Sequence, residues 1–86
     1  MKKVYVISYL YEMENGALGD DRLVARDMPT AKKCFENIKH NIILPLFTEK
    51  YDDEEIDECL NATDTSFKVM CYGDYAEVKI EEKEIL

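Results

Sequence analysis

Six of the seven residues from Asp52 to Glu58 are carboxylates, with only Ile56 interrupting. Clustered carboxylates suit two chemistries, divalent-metal binding and general acid–base catalysis. A calcium loop, however, needs alternating oxygen ligands about a glycine turn, and this run has no glycine and is broken by Ile56. The spacing predicts a helix start instead. Asp52 or Asp53 caps the first turn, Glu54 or Glu55 reaches back to it, and the remaining acids favour the positive end of the helix dipole. Asp53, Glu54, Asp57 and Glu58 exceed what capping requires, which makes them candidate contacts for a basic partner.

Nothing else in the chain assembles a reaction centre. His40 is the sole histidine. On a helix it falls about 120° and about 9 Å from Cys34, too far for a thiolate–imidazolium pair, and it lies off the apolar stripe. Cys34, Cys59 and Cys71 are odd in number and widely spaced, so they fit neither a disulfide framework nor a zinc site. They are expected to be reduced thiols, at least two of them in the core. With no glycine-rich phosphate cradle and no metal motif, the expectation is a non-enzymatic protein without catalytic residues, metal or cofactor. A hydrolase using the clustered acids and a divalent ion is the least supported alternative.

Composition narrows the partners. The 86 residues carry a formal net charge of −8, which repels phosphate backbones and anionic lipid and favours basic surfaces. Direct nucleic-acid binding is disfavoured, since phosphate neutralisation supplies most of that energy. No apolar run approaches the ~20 residues that cross a bilayer. Met1-Lys2-Lys3 followed by Val4 to Leu10 superficially mimics a signal peptide. Yet the stretch alternates, contains Tyr5, Ser8 and Tyr9, and leads to Glu12 rather than to a cleavage site. It reads as a strand, and the protein is expected to be cytoplasmic. The 47% hydrophobic content supports one small domain over residues 1–86.

The elements follow from periodicity. Lys3 to Met13 is rich in β-branched and aromatic residues and predicts a strand, apolar on both sides and therefore central. Asn15-Gly16 and Gly19-Asp20-Asp21 mark a loop, and Arg22 to Arg26 a short second strand antiparallel to the first. Asp27-Met28-Pro29 starts a helix, with Asp27 as N-cap and proline in the first turn. Ala31, Phe35, Ile38 and Ile42 then form one apolar stripe, and Pro45 should end or kink the helix near Leu44. Leu46-Phe47 should fold back onto the core. A short helix over Asp53 to Leu60 and a loop over Asn61 to Ser66 come next. Gly73-Asp74 predicts a two-residue hairpin turn that pairs Cys71 with Ala76 and Lys68 with Lys79. Phe67, Val69, Cys71, Ala76, Val78 and Ile80 then share an apolar face. The expected fold is α+β: a four-stranded, mainly antiparallel sheet in the order ββα(α)ββ, with one long helix on one face.

The tyrosines are the remaining candidates. If Val4, Val6 and Leu10 face the helix, then Tyr5, Tyr9, Tyr11, Tyr72 and Tyr75 share the uncovered sheet face with Met70. Tyrosine offers large contact area with a polar tip, which suits protein–protein or self-association surfaces. The opposite assignment has equal standing, with Tyr5, Ile7, Tyr9 and Tyr11 on the core side.

Two stretches carry a resemblance. Ala31-Lys32-Lys33-Cys34-Phe35-Glu36, and the ending Tyr75-Ala76-Glu77 through Ile80-Glu81-Glu82-Lys83-Glu84-Ile85, resemble short acidic proteins encoded by phages and integrated elements of gut Gram-positive bacteria. The resemblance covers most of the chain in layout and is specific in those two stretches. It implies a phage or mobile-element origin and transfers no activity and no functional residue. The expected function is a small interaction protein that binds a protein partner or a second copy through the tyrosine face or the acidic helix end. The rival expectation is an acidic mimic of nucleic acid that occupies a host protein's basic cleft.

Overall fold

A computed structural model describes residues 2–85. The strands are β1 (Lys2–Glu12), β2 (Leu18–Ala25), β3 (Leu60–Ala62), β4 (Ser66–Cys71) and β5 (Asp74–Ile85). The helices are α1 (Met28–Ile38), a π-helical turn over Lys39–Ile43, α2 (Leu44–Thr48) and α3 (Asp53–Cys59). The five strands form one antiparallel sheet in the order β2-β1-β5-β4-β3. The α+β class and the long helix agree with the sequence reading, but the strand count does not. Leu60-Asn61-Ala62 pairs with Val69-Lys68-Phe67 as a three-residue edge strand where a loop was expected. Its composition carries almost no strand propensity, so pairing with β4 makes the strand. The centre of the sheet belongs to β5; β1 is interior, one position away.

The first hairpin is tighter than its glycines and aspartates suggested. β2 begins at Leu18, so Gly19, Asp20 and Asp21 lie within the ladder opposite Tyr11, Leu10 and Tyr9. The Tyr11 ring covers Gly19, and a Cβ placed there would overlap it. Glycine in a strand under a cross-strand aromatic is a recognised pairing. Gly19→Ala is expected to cost about 1 kcal/mol, since the ring can swing aside but then loses its packing. Urea unfolding of the variant measures it.

The helical segment shows how the chain carries a proline past its own break. Asp27 caps α1, accepting from the Thr30 backbone N–H at 2.8 Å, and this bond holds its carboxyl below the usual range. Ala31, Phe35 and Ile38 are buried as expected, but the next buried residue is Ile43 rather than Ile42. The π turn explains the shift. Leu44 N–H donates to Lys39 C=O five residues back, which inserts one residue and advances the apolar stripe from 42 to 43 and on to Phe47. The widened turn also relieves the clash between the Pro45 ring and the preceding turn, so helix continues to Thr48.

The second predicted turn moves by one residue. β4 and β5 pair Cys71 with Asp74, Met70 with Tyr75 and Lys68 with Glu77, leaving Tyr72-Gly73 as the loop. Each partner changes by two positions, so side-chain parity survives. Phe67, Val69, Cys71, Ala76, Val78 and Ile80 are all buried. Lys68 now opposes Glu77 instead of Lys79, which removes the expected repulsion. The left-handed residue is Tyr72, at φ 55.

Candidate functional site

Register settles which face of the sheet the helices cover. Ile7 is fully buried, and Tyr5, Tyr9 and Tyr11 pack against the core beside it. These odd residues of β1 stand opposite Ile80, Glu82, Val78 and Ala76 of β5, on the helix side. Of the two assignments open to the sequence, the core-side one for Tyr5, Ile7, Tyr9 and Tyr11 is correct. The five tyrosines therefore do not form one surface. Tyr5 reaches Glu82 at 3.5 Å, and Tyr9 lies opposite Asp21; burial, then that carboxylate, raises its phenol pKa. Tyr72 sits on the β4–β5 turn, 83% exposed and stacked on Tyr51 with ring centroids 5.9 Å apart. Tyr75 alone points to the uncovered face, where Lys68 Nζ lies 5.5 Å from its ring centroid.

The uncovered face holds the alternate residues of every strand. Across β2, β1 and β5 it presents in-register rows: Leu18–Glu12–Tyr75, Asp20–Leu10–Glu77, Arg22–Ser8–Lys79 and Val24–Val6–Glu81. Met70 and Lys68 extend the Tyr75 and Glu77 rows onto β4. Seven large hydrophobics are exposed among the described residues, and five of them lie here: Leu10, Leu18, Val24, Met70 and Ile85. Ser8, Leu10, Asp20, Arg22, Glu77 and Lys79 line most of an open depression of about 490 Å³. A second depression, lined by Val6, Arg22, Glu81 and Lys83, continues from it.

Charge distinguishes this face from the rest of the molecule. Its cations are Lys2, Arg22, Lys68, Lys79 and Lys83; its carboxylates are Glu12, Asp20, Glu77 and Glu81. The face is thus close to neutral on a chain of net −8. Glu81 lies 3.2 Å from Lys79 and 3.3 Å from Lys83, and hydrogen bonds from these ammonium groups lower its pKa. Arg22 has no ion-pair partner among the described residues.

The acidic run behaves as a helix start. Asp52 accepts from the Glu55 N–H at 2.9 Å and Glu55 returns the bond to the Asp52 N–H at 3.3 Å, completing a capping box. Asp53, Glu54, Asp57 and Glu58 are exposed on α3, on the helix side of the sheet and away from the open face. No group of three or more His, Cys, Asp or Glu side chains is placed to hold a metal ion among the described residues. His40 lies 3.1 Å from Glu36, one helical turn away on the exposed side of the helix. Cys71 is buried while Cys34 and Cys59 are only partly so, against the expectation of two core thiols. Burial, then its contact with Cys59, pushes the Cys71 thiol up to about 12.

One polar cluster escaped the sequence. Asp74, read as a turn residue, is fully buried. Its carboxylate accepts from the Glu14 N–H, the Lys50 ammonium and the Tyr51 hydroxyl, each at 2.7 Å. Burial alone would raise its pKa, but these three donors outweigh that and hold it at about 2. The same bond to Asp74, with burial, raises the Tyr51 phenol. Among the described residues no buried side-chain nitrogen or oxygen lacks a partner. The cluster ties the β1–β2 loop, the turn after α2 and the β4–β5 turn together. Its signal was an aspartate beside a turn glycine, a pattern shared with exposed turns. No known protein family, curated protein or solved structure matches this chain.

Proposed function

We propose that this protein is a non-catalytic interaction protein that docks a protein surface through the uncovered face of its sheet. The supporting observation is the concentration there of exposed Leu10, Leu18, Val24, Met70 and Ile85 amid balanced charge. Antiparallel sheets do present one face to water, but usually with polar side chains on it. Val24 beside Val6, Met70 beside Tyr75 and Leu10 diagonal to Leu18 instead resemble apolar contact points set among charges, as in a contact patch. Leu18→Asp with Val24→Asp is expected to abolish partner retention from a host lysate without lowering the melting temperature. Retention unchanged by the pair would contradict the reading.

A second reading rests on Asp53, Glu54, Asp57 and Glu58, which are exposed and without ion pairs among the described residues. In it, α3 offers phosphate-like charges to a basic cleft of a nucleic-acid-binding protein. Such a complex should dissociate steeply with added salt and fail when these four are changed to Asn and Gln. Binding that survives both treatments would remove it.

A further inference from the structure

We infer that the occupant of the uncovered face is a second copy of this chain, packed sheet to sheet about a twofold axis. The inference rests on the reading above, that this face docks protein, and adds the partner and the register. Three features support it.

The first is long-range charge. Two chains of net −8 repel one another over most of their surfaces. The open face, with Lys2, Arg22, Lys68, Lys79 and Lys83 set against Glu12, Asp20, Glu77 and Glu81, is nearly balanced, so docking there brings no like-charged patches together and leaves only the net repulsion to overcome. A strongly basic partner would instead be drawn to the acidic remainder.

The second is self-complementarity. The cationic row Arg22–Ser8–Lys79 lies next to the anionic row Asp20–Leu10–Glu77. Consider a twofold axis in the interface plane, perpendicular to the strands and midway between these rows. It sets each strand over its own copy, running in the opposite direction. Arg22 then faces the copy's Asp20, Lys79 faces its Glu77, and Val24 faces its Leu18. Each contact occurs twice, as an isologous interface requires. The natural sheet-to-sheet crossing of about 30° lets the inner faces of two such sheets interdigitate across their overlap.

The third is size. The molecule is 17 Å through its thinnest dimension and 24 Å across, the depth of one helix layer on one sheet. Five strands at about 4.8 Å spacing, with two of them ten or more residues long, present on the order of 800 Å². A standard stable interface buries about that much per partner.

The test uses β5, which is central in the sheet and is reached by face-to-face docking but not by pairing of the β2 edges. Sedimentation equilibrium at about 0.15 M salt, where the net repulsion is screened beyond about 8 Å, is expected to show a wild-type dimer. Lys79→Glu and Glu77→Lys should each weaken self-association at least about tenfold, by placing like charges across the axis. An equimolar mixture of the two variants should recover the wild-type affinity as a heterodimer. Circular dichroism on each variant confirms that the fold is kept. A wild-type monomer at about 100 μM, or a mixture no tighter than its components, would overturn the second-copy assignment. If the wild type is monomeric while Leu18→Asp with Val24→Asp still abolishes partner retention, the docking face stands and only its occupant is wrong. If the wild type dimerises and those substitutions leave both the dimer and partner retention intact, both readings fall.

Discussion

Asp74→Ala is expected to lower the unfolding free energy by about 2–4 kcal/mol, a large fraction of the total for a domain this size. Among the described residues the carboxylate is the sole acceptor for the Glu14 N–H and for the Lys50 ammonium, and the nearer of two for the Tyr51 hydroxyl. Removing it strands the Glu14 N–H and leaves the Tyr51 hydroxyl only its 3.3 Å bond to the Cys71 carbonyl, while Lys50, with 37% of its side chain exposed, can turn to water. That partial escape places the cost below that of a fully enclosed pair. Asp74→Asn keeps the shape and one acceptor oxygen, so it should cost less.

The pH dependence has a definite sign. The folded-state pKa of Asp74, about 2, lies below the ordinary carboxylate value of the unfolded chain. The group's contribution is therefore present in full above about pH 4 and is lost as pH falls from there through about 2. Chemical denaturation of the wild type should show a stability drop across that window that is flattened in Asp74→Asn. An equal drop in both proteins would mean that other carboxylates carry the acid sensitivity.

Phe47→Ala is expected to be the costliest single truncation, at about 3–5 kcal/mol. Phe47 is fully buried, and it is the residue the π turn brings onto the core. Its ring stacks on Tyr51 with centroids 6.1 Å apart, and its carbonyl accepts the backbone N–H groups of Lys50 and Tyr51. The substitution thus opens a cavity and also loosens the two side chains that grip Asp74. For that reason the combination with Asp74→Ala should cost less than the sum of the two, by about 0.5–3 kcal/mol. Urea titration of the double-mutant cycle measures this coupling. Strict additivity would show that the aromatic stack and the buried carboxylate act independently.

Where the sequence was legible, a period and a boundary residue agreed. Asp27 with Pro29 started α1, the capping box opened α3, and the alternation in β4 and β5 identified the core face even though the turn was misplaced by one residue. That last case shows why parity is easier to read than register. A two-residue change of partner leaves each side chain on its own face, so the hydrophobic pattern cannot detect it. The turn itself ran against local preference, because burying Asp74 on three donors outweighs placing the left-handed residue at Gly73 rather than Tyr72.

The site was less legible because β1 is apolar on both sides. Val4, Val6 and Leu10 compete with Tyr5, Ile7, Tyr9 and Tyr11 for the helix, and alternation alone cannot rank them. β5 decides: its buried Ala76, Val78 and Ile80 stand opposite Tyr11, Tyr9 and Ile7. The near-neutral apolar face was equally hidden, because it draws on four strands whose order the chain does not announce.

Paramagnetic attenuation of methyl signals by a neutral soluble nitroxide tests this sorting of side chains most directly. In dilute protein, Leu10, Leu18, Val24 and Met70 should lose intensity while Ile7, Ile43, Val69 and Val78 remain untouched. On concentration, the first four should become shielded together. Attenuation of Val69 and Val78, or exposure of Leu18 and Val24 that persists unchanged at every concentration, would contradict it.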